Sequence, residues 1–216
     1  LIALYTATTG DGWNDNTNWK VPPLHTDGFA EPGTECSWFG VYCNPDGNAV
    51  ESVFYFSNNL NGSLPPELAD MTSLRYLDIE ENNELVGSIP PELAALPAME
   101  SLNLIGNQLS GSFPPELVDI STLRQILLNG NPLTGSIPTG FGARDMLVIY
   151  LGNCGLTGDV PADLGNLTDM IWLVLGGNRL TGAIPSSLSN LASVNTFGIS
   201  YNALWTDDPV LRSFLD

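Results

Sequence analysis

Basic residues are nearly missing from this 216-residue chain: six Lys and Arg stand against 24 Asp and Glu, a formal charge of −18. That shortage excludes nucleic-acid binding and docking on anionic membrane surfaces, both of which need basic patches. It fits solubility in salty surroundings, cationic partners or calcium. Histidine is reduced to His25, in the Pro/Gly-rich loop Val21 to Gly33. A Ser-His-Asp set would need a nucleophile beside it, and nothing marks one. Cysteine numbers only three. Cys36 and Cys43 lie close in an N-terminal loop and could pair, leaving Cys154 over; a zinc site from one His and two such cysteines is a poor prospect. No apolar run approaches the ~20 residues that span a bilayer, so no direct membrane insertion is expected. No phosphate-binding glycine loop occurs. The chain opens at Leu1 without Met and reads as a processed or trimmed fragment, with Leu1 to Tyr5 as the middle of an amphipathic helix.

What is present is a period. Gly-x-x-Pro recurs at Gly62-Pro65, Gly87-Pro90, Gly111-Pro114, Gly135-Pro138, Gly158-Pro161 and Gly182-Pro185, at glycine intervals of 25, 24, 24, 23 and 24. Such regularity predicts a solenoid, a single structural domain whose function lies on one surface built from equivalent positions. Upstream of each glycine stands an alternating apolar pair: Val53/Tyr55, Leu77/Ile79, Leu102/Leu104, Ile126/Leu128, Ile149/Leu151, Leu173/Leu175 and Phe197/Ile199. Alternation over three residues is a strand signature, with both apolar side chains on one face. One such strand cannot bury its face alone, but a parallel stack at ~4.8 Å spacing can.

Four residues before the glycines stand Asn58, Asn83, Asn107, Asn131, Cys154 and Asn178, with Asn202 in a last, incomplete repeat. An amide both donates and accepts, so a column of them can satisfy backbone groups where the chain leaves the strand. Cys154 fits the column by size and reads as a buried structural thiol. The register has one fault. Leu77/Ile79 points to Asn82 as the ladder residue whereas Gly87 points to Asn83, which we take, with a bulge between Glu80 and Glu84. After each Gly-x-x-Pro, segments such as Pro115 to Ile120 and Ala162 to Leu167 predict a short α or 3-10 turn on the outer side.

These residues resemble the plant-type leucine-rich repeat family, whose pattern is Leu-x-x-Leu-x-x-Leu-x-Leu-x-x-Asn-x-Leu-x-Gly-x-Ile-Pro. Leu96, Met99, Leu102, Leu104, Asn107, Leu109, Gly111, Phe113 and Pro114 match it in order. The front is similar to the family's N-terminal cap: Cys36-Ser37-Trp38-Phe39-Gly40-Val41-Tyr42-Cys43 follows Cys-x-Trp-x-Gly-Val-x-Cys, preceded by Leu4-Tyr5, Gly10-Asp11-x-Trp13 and Trp19. The resemblance implies an α/β solenoid, a right-handed superhelix with a parallel concave sheet and short 3-10 or α turns on its convex side. It implies a Cys36–Cys43 disulfide. It also implies a cap over 1–49, about seven repeats over 50–204, and a C-terminal cap or truncated end over 205–216, where Val210 to Leu215 reads as a short helix. By function it implies a non-catalytic, extracellular or cell-surface recognition module without a cofactor. Its partner would be a protein, peptide or cell-wall polysaccharide. Inhibition of an extracellular wall-degrading hydrolase is the alternative. Ice binding, or a structural and adhesive wall role, comes after that.

The strand positions beside the buried pairs point outward. Before the first buried residue come Ser52, Tyr76, Ser101, Gln125, Val148, Trp172 and Thr196; between the pair, Phe54, Asp78, Asn103, Leu127, Tyr150, Val174 and Gly198; after it, Phe56, Glu80, Ile105, Asn129, Gly152, Gly176 and Ser200. Aromatics exposed on a rigid scaffold are typical anchors. The expected binding residues are Tyr76, Asp78, Glu80, Asn103, Ile105, Gln125, Leu127, Tyr150 and Trp172; Phe54 and Phe56 also point outward, but in the first strand they are the ones most open to cover by the cap or by a neighbouring molecule. Asp78 and Glu80 share a face. As an acid/base pair they show no visible means of raising a pKa; with Glu81 and Glu84 they could hold calcium, or simply make a cation-seeking patch. Two sequons, Asn61-Gly62-Ser63 and Asn166-Leu167-Thr168, are candidate glycan sites.

Overall fold

The computed structural model describes residues 1–215. An eight-stranded sheet runs the length of the molecule. Its first strand, Val41–Cys43, pairs antiparallel with Val50–Phe56. Every later strand, Tyr76–Glu80, Ser101–Asn103, Gln125–Leu127, Val148–Tyr150, Trp172–Val174 and Thr196–Gly198, adds in parallel and in register. Pairing continues past the strand ends: Ser57 N–H donates to Glu80 O, Gly106 to Asn129 O and Gly177 to Ser200 O. The alternating pairs form the core. Val53, Leu77, Leu102, Ile126, Ile149 and Leu173, and behind them Tyr55, Ile79, Leu104, Leu128, Leu151 and Leu175, are all fully buried. Each such side chain contributes about 1.5–3 kcal/mol of burial.

The return path is made of 3-10 turns, Pro66–Asp70, Pro91–Ala95, Pro115–Asp119, Phe141–Ala143, Ala162–Asn166 and Ser186–Asn190. Five of them turn a leucine inward: Leu68, Leu93, Leu117, Leu164 and Leu188. The fourth buries Phe141 instead, its ring edge-on to Phe113 at 6.1 Å. The repeat glycine is demanded by conformation. Gly182 has φ of +82°, and a Cβ there would strike the Asp159 carboxylate.

The front end is an aromatic plug. The helix Ile2–Ala7 presents Tyr5 to Trp13, Trp19 and Phe29 at ring distances of 5.0, 5.1 and 5.1 Å. Trp13 passes the stack on to Tyr55 of the first parallel strand at 4.7 Å. Cys36 and Cys43 are joined in a disulfide. At the other end the helix Pro209–Leu215 packs Phe214 against Phe197 at 5.2 Å. Phe197 and Ile199 nevertheless stay only half-buried. Among the described residues no helix is long and apolar enough to cross a membrane.

An asparagine ladder ties strand to turn. Asn131 Nδ2 donates to Leu104 O and Leu128 O, both at 2.8 Å, and its Oδ1 accepts from Leu109 N. Asn178 repeats the arrangement with Leu151 O and Leu175 O, accepting from Cys154 N and Leu156 N. Asn58 turns the other way and exchanges two hydrogen bonds with the Asp15 backbone, joining cap to ladder. Cys154 keeps the donor role through Sγ to Leu128 O at 3.3 Å but offers no amide oxygen. Leu133 N therefore bonds Asn131 O instead, and between the outer strands Leu133–Thr134 and Thr157–Asp159 only the single bridge Ser136 to Thr157 remains. Burial pushes the Cys154 thiol up to about 11, which suppresses thiolate chemistry.

The second rung is Asn82, not Asn83. Asn82 is buried, accepts from Asn58 N and Leu60 N and donates to Tyr55 O and Glu80 O, whereas Asn83 is exposed. The strand fixes the rung, because its apolar pair must face the core. The extra residue does fall between Glu80 and Glu84, after the rung, and it is taken up in a turn. Leu85 follows Asn82 by three, where Leu60 follows Asn58 by two, and Leu85 N closes a turn on Asn82 O at 2.9 Å.

This register makes a clear prediction. Asn82→Ala strands several buried backbone groups and should destabilise by on the order of 3 kcal/mol, while Asn83→Ala should stay within about 0.5 kcal/mol of wild type. Urea denaturation of both variants checks it; equal losses would contradict the assigned rung.

Candidate binding face

The outward rows of the sheet form the candidate site. Inter-strand register places Tyr76 beside Ser52 and Ser101, Asp78 between Phe54 and Asn103, and Tyr150 between Leu127 and Val174. Of the expected residues, Tyr76, Gln125 and Trp172 are exposed, and Asp78, Glu80, Asn103, Ile105, Leu127 and Tyr150 are half-buried among their row neighbours. Val148, assigned to the outward side, is buried between Gln125 and Trp172, because the residues flanking it in the row are both larger.

The cap leaves Phe54 and Phe56 open, in keeping with their outward register; they are 40% and 58% exposed. The cap packs over the inward side, where Tyr55 meets Trp13 and Phe39. The cap even adds to the face. Tyr42 stands opposite Ser52 with Val41 turned inward, so its ring lies in the same row and is 57% exposed. Sequence reading treated 36–43 as a disulfide loop and missed it. The in-out alternation of Val41 and Tyr42 was the available signal.

The two ends of the face differ chemically. Towards the C-terminal end Gly152, Gly176 and Gly198 leave a shallow floor beside Tyr150, Val174 and Trp172. A Cβ on Gly152 would sit 3.2 Å from Gly176 O and 3.8 Å from the Tyr150 ring. Towards the N-terminal end lie the acids. Asn103 Nδ2 donates to Glu80 Oε1 at 2.7 Å, and Asp78 Oδ1 is buried without a partner. Burial, and then the Glu80 carboxylate beside it, raise Asp78 to about 7, so a pKa-raising environment that the sequence did not reveal does exist. Next to it, the Arg75 guanidinium grips Glu100 Oε1 through Nη2 at 2.6 Å and Nε at 3.0 Å, and holds Glu100 below the usual carboxylate range. Tyr76 Oη donates to Glu100 Oε2 at 3.0 Å, which pushes its own pKa up. Among the described residues no three His, Cys, Asp or Glu side chains are placed to hold a metal ion. Glu81 lies instead against Gly106, and Glu84 is exposed. His25 sits in the cap loop, 3.3 Å from Asp27. A cavity of about 670 Å³ lies between the cap helix, the disulfide loop and the first 3-10 turn, and no residue of the outward rows lines it.

The repeats are leucine-rich repeats. The Leucine Rich Repeat family model matches residues 73–96, 98–120, 122–143 and 170–191, passing over the repeat whose ladder residue is Cys154. Over 44 residues the chain is 46% identical to Leucine-rich repeat protein 1 of Arabidopsis thaliana, covering 20% of each chain. Its fold is that of plant receptor ectodomains. It superposes on the leucine-rich-repeat ectodomain of the Arabidopsis thaliana membrane receptor kinase GASSHO1/SCHENGEN3, crystallised with CASPARIAN STRIP INTEGRITY FACTOR 2. There the TM-score is 0.77 at 34% identity, over 88% of this chain and 23% of that one. With the PEPR1-AtPEP1 structure the TM-score is 0.71 at 26% identity, over 94% of this chain and 31% of the other. The chain thus spans less than a third of these relatives' lengths.

The crowded acid gives a pH signature. Asp78 has an ordinary value of 3.8 and a folded value of about 7. Across that window the folded state holds more protons than the unfolded chain, so this group's contribution falls as pH rises from 3.8 to about 7. Asp78→Asn should therefore be more stable than wild type at pH 8 and closer to it at pH 4. Urea midpoints for both proteins at those two pH values test the sign; a gap that does not widen with pH would refute it.

Proposed function

We propose that this leucine-rich-repeat solenoid is a non-catalytic, extracellular recognition module that binds an extended peptide segment of a partner across its concave sheet. The observation that carries the reading is the exposure of large side chains where the fold does not need them. Every inward position from Val53 to Leu175 is filled, yet Phe54, Phe56, Tyr76 and Trp172 face out on strands that cannot shift without breaking the core. Rigid aromatic anchors of this kind lose little entropy on binding.

Dimensions support the same reading. Seven parallel-stacked strands at ~4.8 Å present a track of roughly 29 Å, room for about nine residues of extended chain. The similarity, at 27% identity and a TM-score of 0.58, to the Arabidopsis receptor kinase HAESA crystallised with the peptide hormone IDA points the same way. The Cys36–Cys43 disulfide suits an oxidising compartment. Asn61 and Asn166 are both exposed within their sequons, so in a eukaryotic secretory pathway each would take a glycan outside the outward rows.

A double variant tests the face. Peptides selected from an array by the wild type should bind Tyr150→Ala/Trp172→Ala at least about 30-fold more weakly, the effect of losing a ~2 kcal/mol anchor, with an unchanged melting temperature. Undiminished binding would place the site elsewhere.

A further inference from the structure

The N-terminal end of the concave sheet combines two things found together nowhere else on the face. Four exposed aromatic rings, Tyr42, Phe54, Phe56 and Tyr76, occupy three adjoining strands. Among them lie Asp78 and Glu80, paired in register with Phe54 and Phe56. Neither carboxylate has a cation. Arg75, the nearest basic residue along the strand, is held by Glu100, and the ion pairs of Lys20 and Arg144 are with Asp11 and Asp119. The groups facing Asp78 are Glu80 on its own strand, Asn103 on the next and Phe54 on the one before, with the Tyr76–Glu100–Arg75 network adjoining. Asn103 Nδ2 donates to Glu80 Oε1, and the buried Asp78 Oδ1 has no hydrogen-bond partner.

We infer that this end of the face is the seat of an arginine side chain flanked by apolar residues in the bound peptide. The inference rests on the concave-face peptide reading above and adds the chemistry of one subsite. A guanidinium answers each feature. Its plane stacks on aromatic faces, its five donors reach two carboxylates at once, and its charge relieves the repulsion between them. A divalent metal answers fewer of them, because among the described residues no third His, Cys, Asp or Glu side chain joins the two carboxylates. The chain's charge of −18 draws such a segment in from a distance. Occupation also ionises Asp78, whose carboxyl is raised to about 7 in the empty site, so its proton passes to the buffer as arginine binds.

The probe is the peptide acetyl-Gly-Phe-Arg-Phe-Gly-amide, compared with its citrulline counterpart, which keeps the shape and loses the charge. Titrations are followed by NMR on the wild type and on Asp78→Asn/Glu80→Gln, a variant expected to be at least as stable as wild type. The arginine peptide should bind on the order of tenfold tighter than the citrulline peptide. Shifts should centre on Tyr42, Phe54, Phe56 and Tyr76. Affinity should rise between pH 6 and pH 8, and calorimetry in two buffers should show proton release at pH 6.5. In the double variant the tenfold contrast and the proton release should both vanish. Equal affinities for the two peptides, or a contrast that survives in the double variant, overturns the inference. Array-selected peptides that lose affinity with Tyr150→Ala/Trp172→Ala but are indifferent to Asp78→Asn/Glu80→Gln would overturn the arginine subsite and leave concave-face recognition standing. Indifference to both variants would remove both.

Discussion

A chain that leaves a buried strand must still satisfy the backbone groups it takes off the ladder, and here one amide per repeat does so. Asn107, Asn131, Asn178 and Asn202 each donate to the carbonyl of the second buried strand residue in their own repeat and in the one before. That bond couples neighbours, so each repeat positions the next. The exceptions prove instructive. At Cys154 the donor survives as a thiol but the acceptor is gone, and the outer strands nearly part company there. At the front Asn58 uses the same groups to fasten the Asp15 backbone, so the cap is held as though it were a preceding repeat.

Because the ladder and the leucine core satisfy the scaffold from the inside, the outward side of the sheet is released from any structural duty. That freedom is visible in what it tolerates. Two carboxylates stand side by side with one oxygen unpartnered, aromatic rings lie open to solvent, and three glycines take places where side chains would stand. A sheet that had to bury this side could not carry any of them. The gradient from an acidic, aromatic end to an end where glycines adjoin Tyr150, Val174 and Trp172 also gives the face a direction, which a bound chain would have to match.

Much of this was legible from residue order alone. The Gly-x-x-Pro period, the Leu-x-Leu pairs and the asparagine column predicted a parallel stack with short turns behind it, because those patterns have few other physical solutions. The misreadings cluster where two local signals compete or where a neighbour distant in sequence decides. Asn82 and Asn83 both lay near the expected register, and the strand's inward pair outweighed the spacing from Gly87. Phe54 and Phe56 point outward in the first strand, and residue order could not say whether the cap lies over them; it packs on the Tyr55 side of the same strand. Tyr42 was hidden in a segment defined by its cysteines.

By itself, the order of residues determined the solenoid, its interior and, Tyr42 and Val148 apart, the side chains that look outward, since alternation and period are properties of a chain and need no partner to be read. Only the tertiary structure decided which of those outward groups meet. Asp78 acquires its raised pKa from burial among Phe54, Asn103 and Glu80, residues set on three different strands. Tyr42 joins the face through an antiparallel pairing that its own segment does not announce. Proximity between repeats comes from stacking, and stacking brings together residues some 24 positions apart that no local pattern relates.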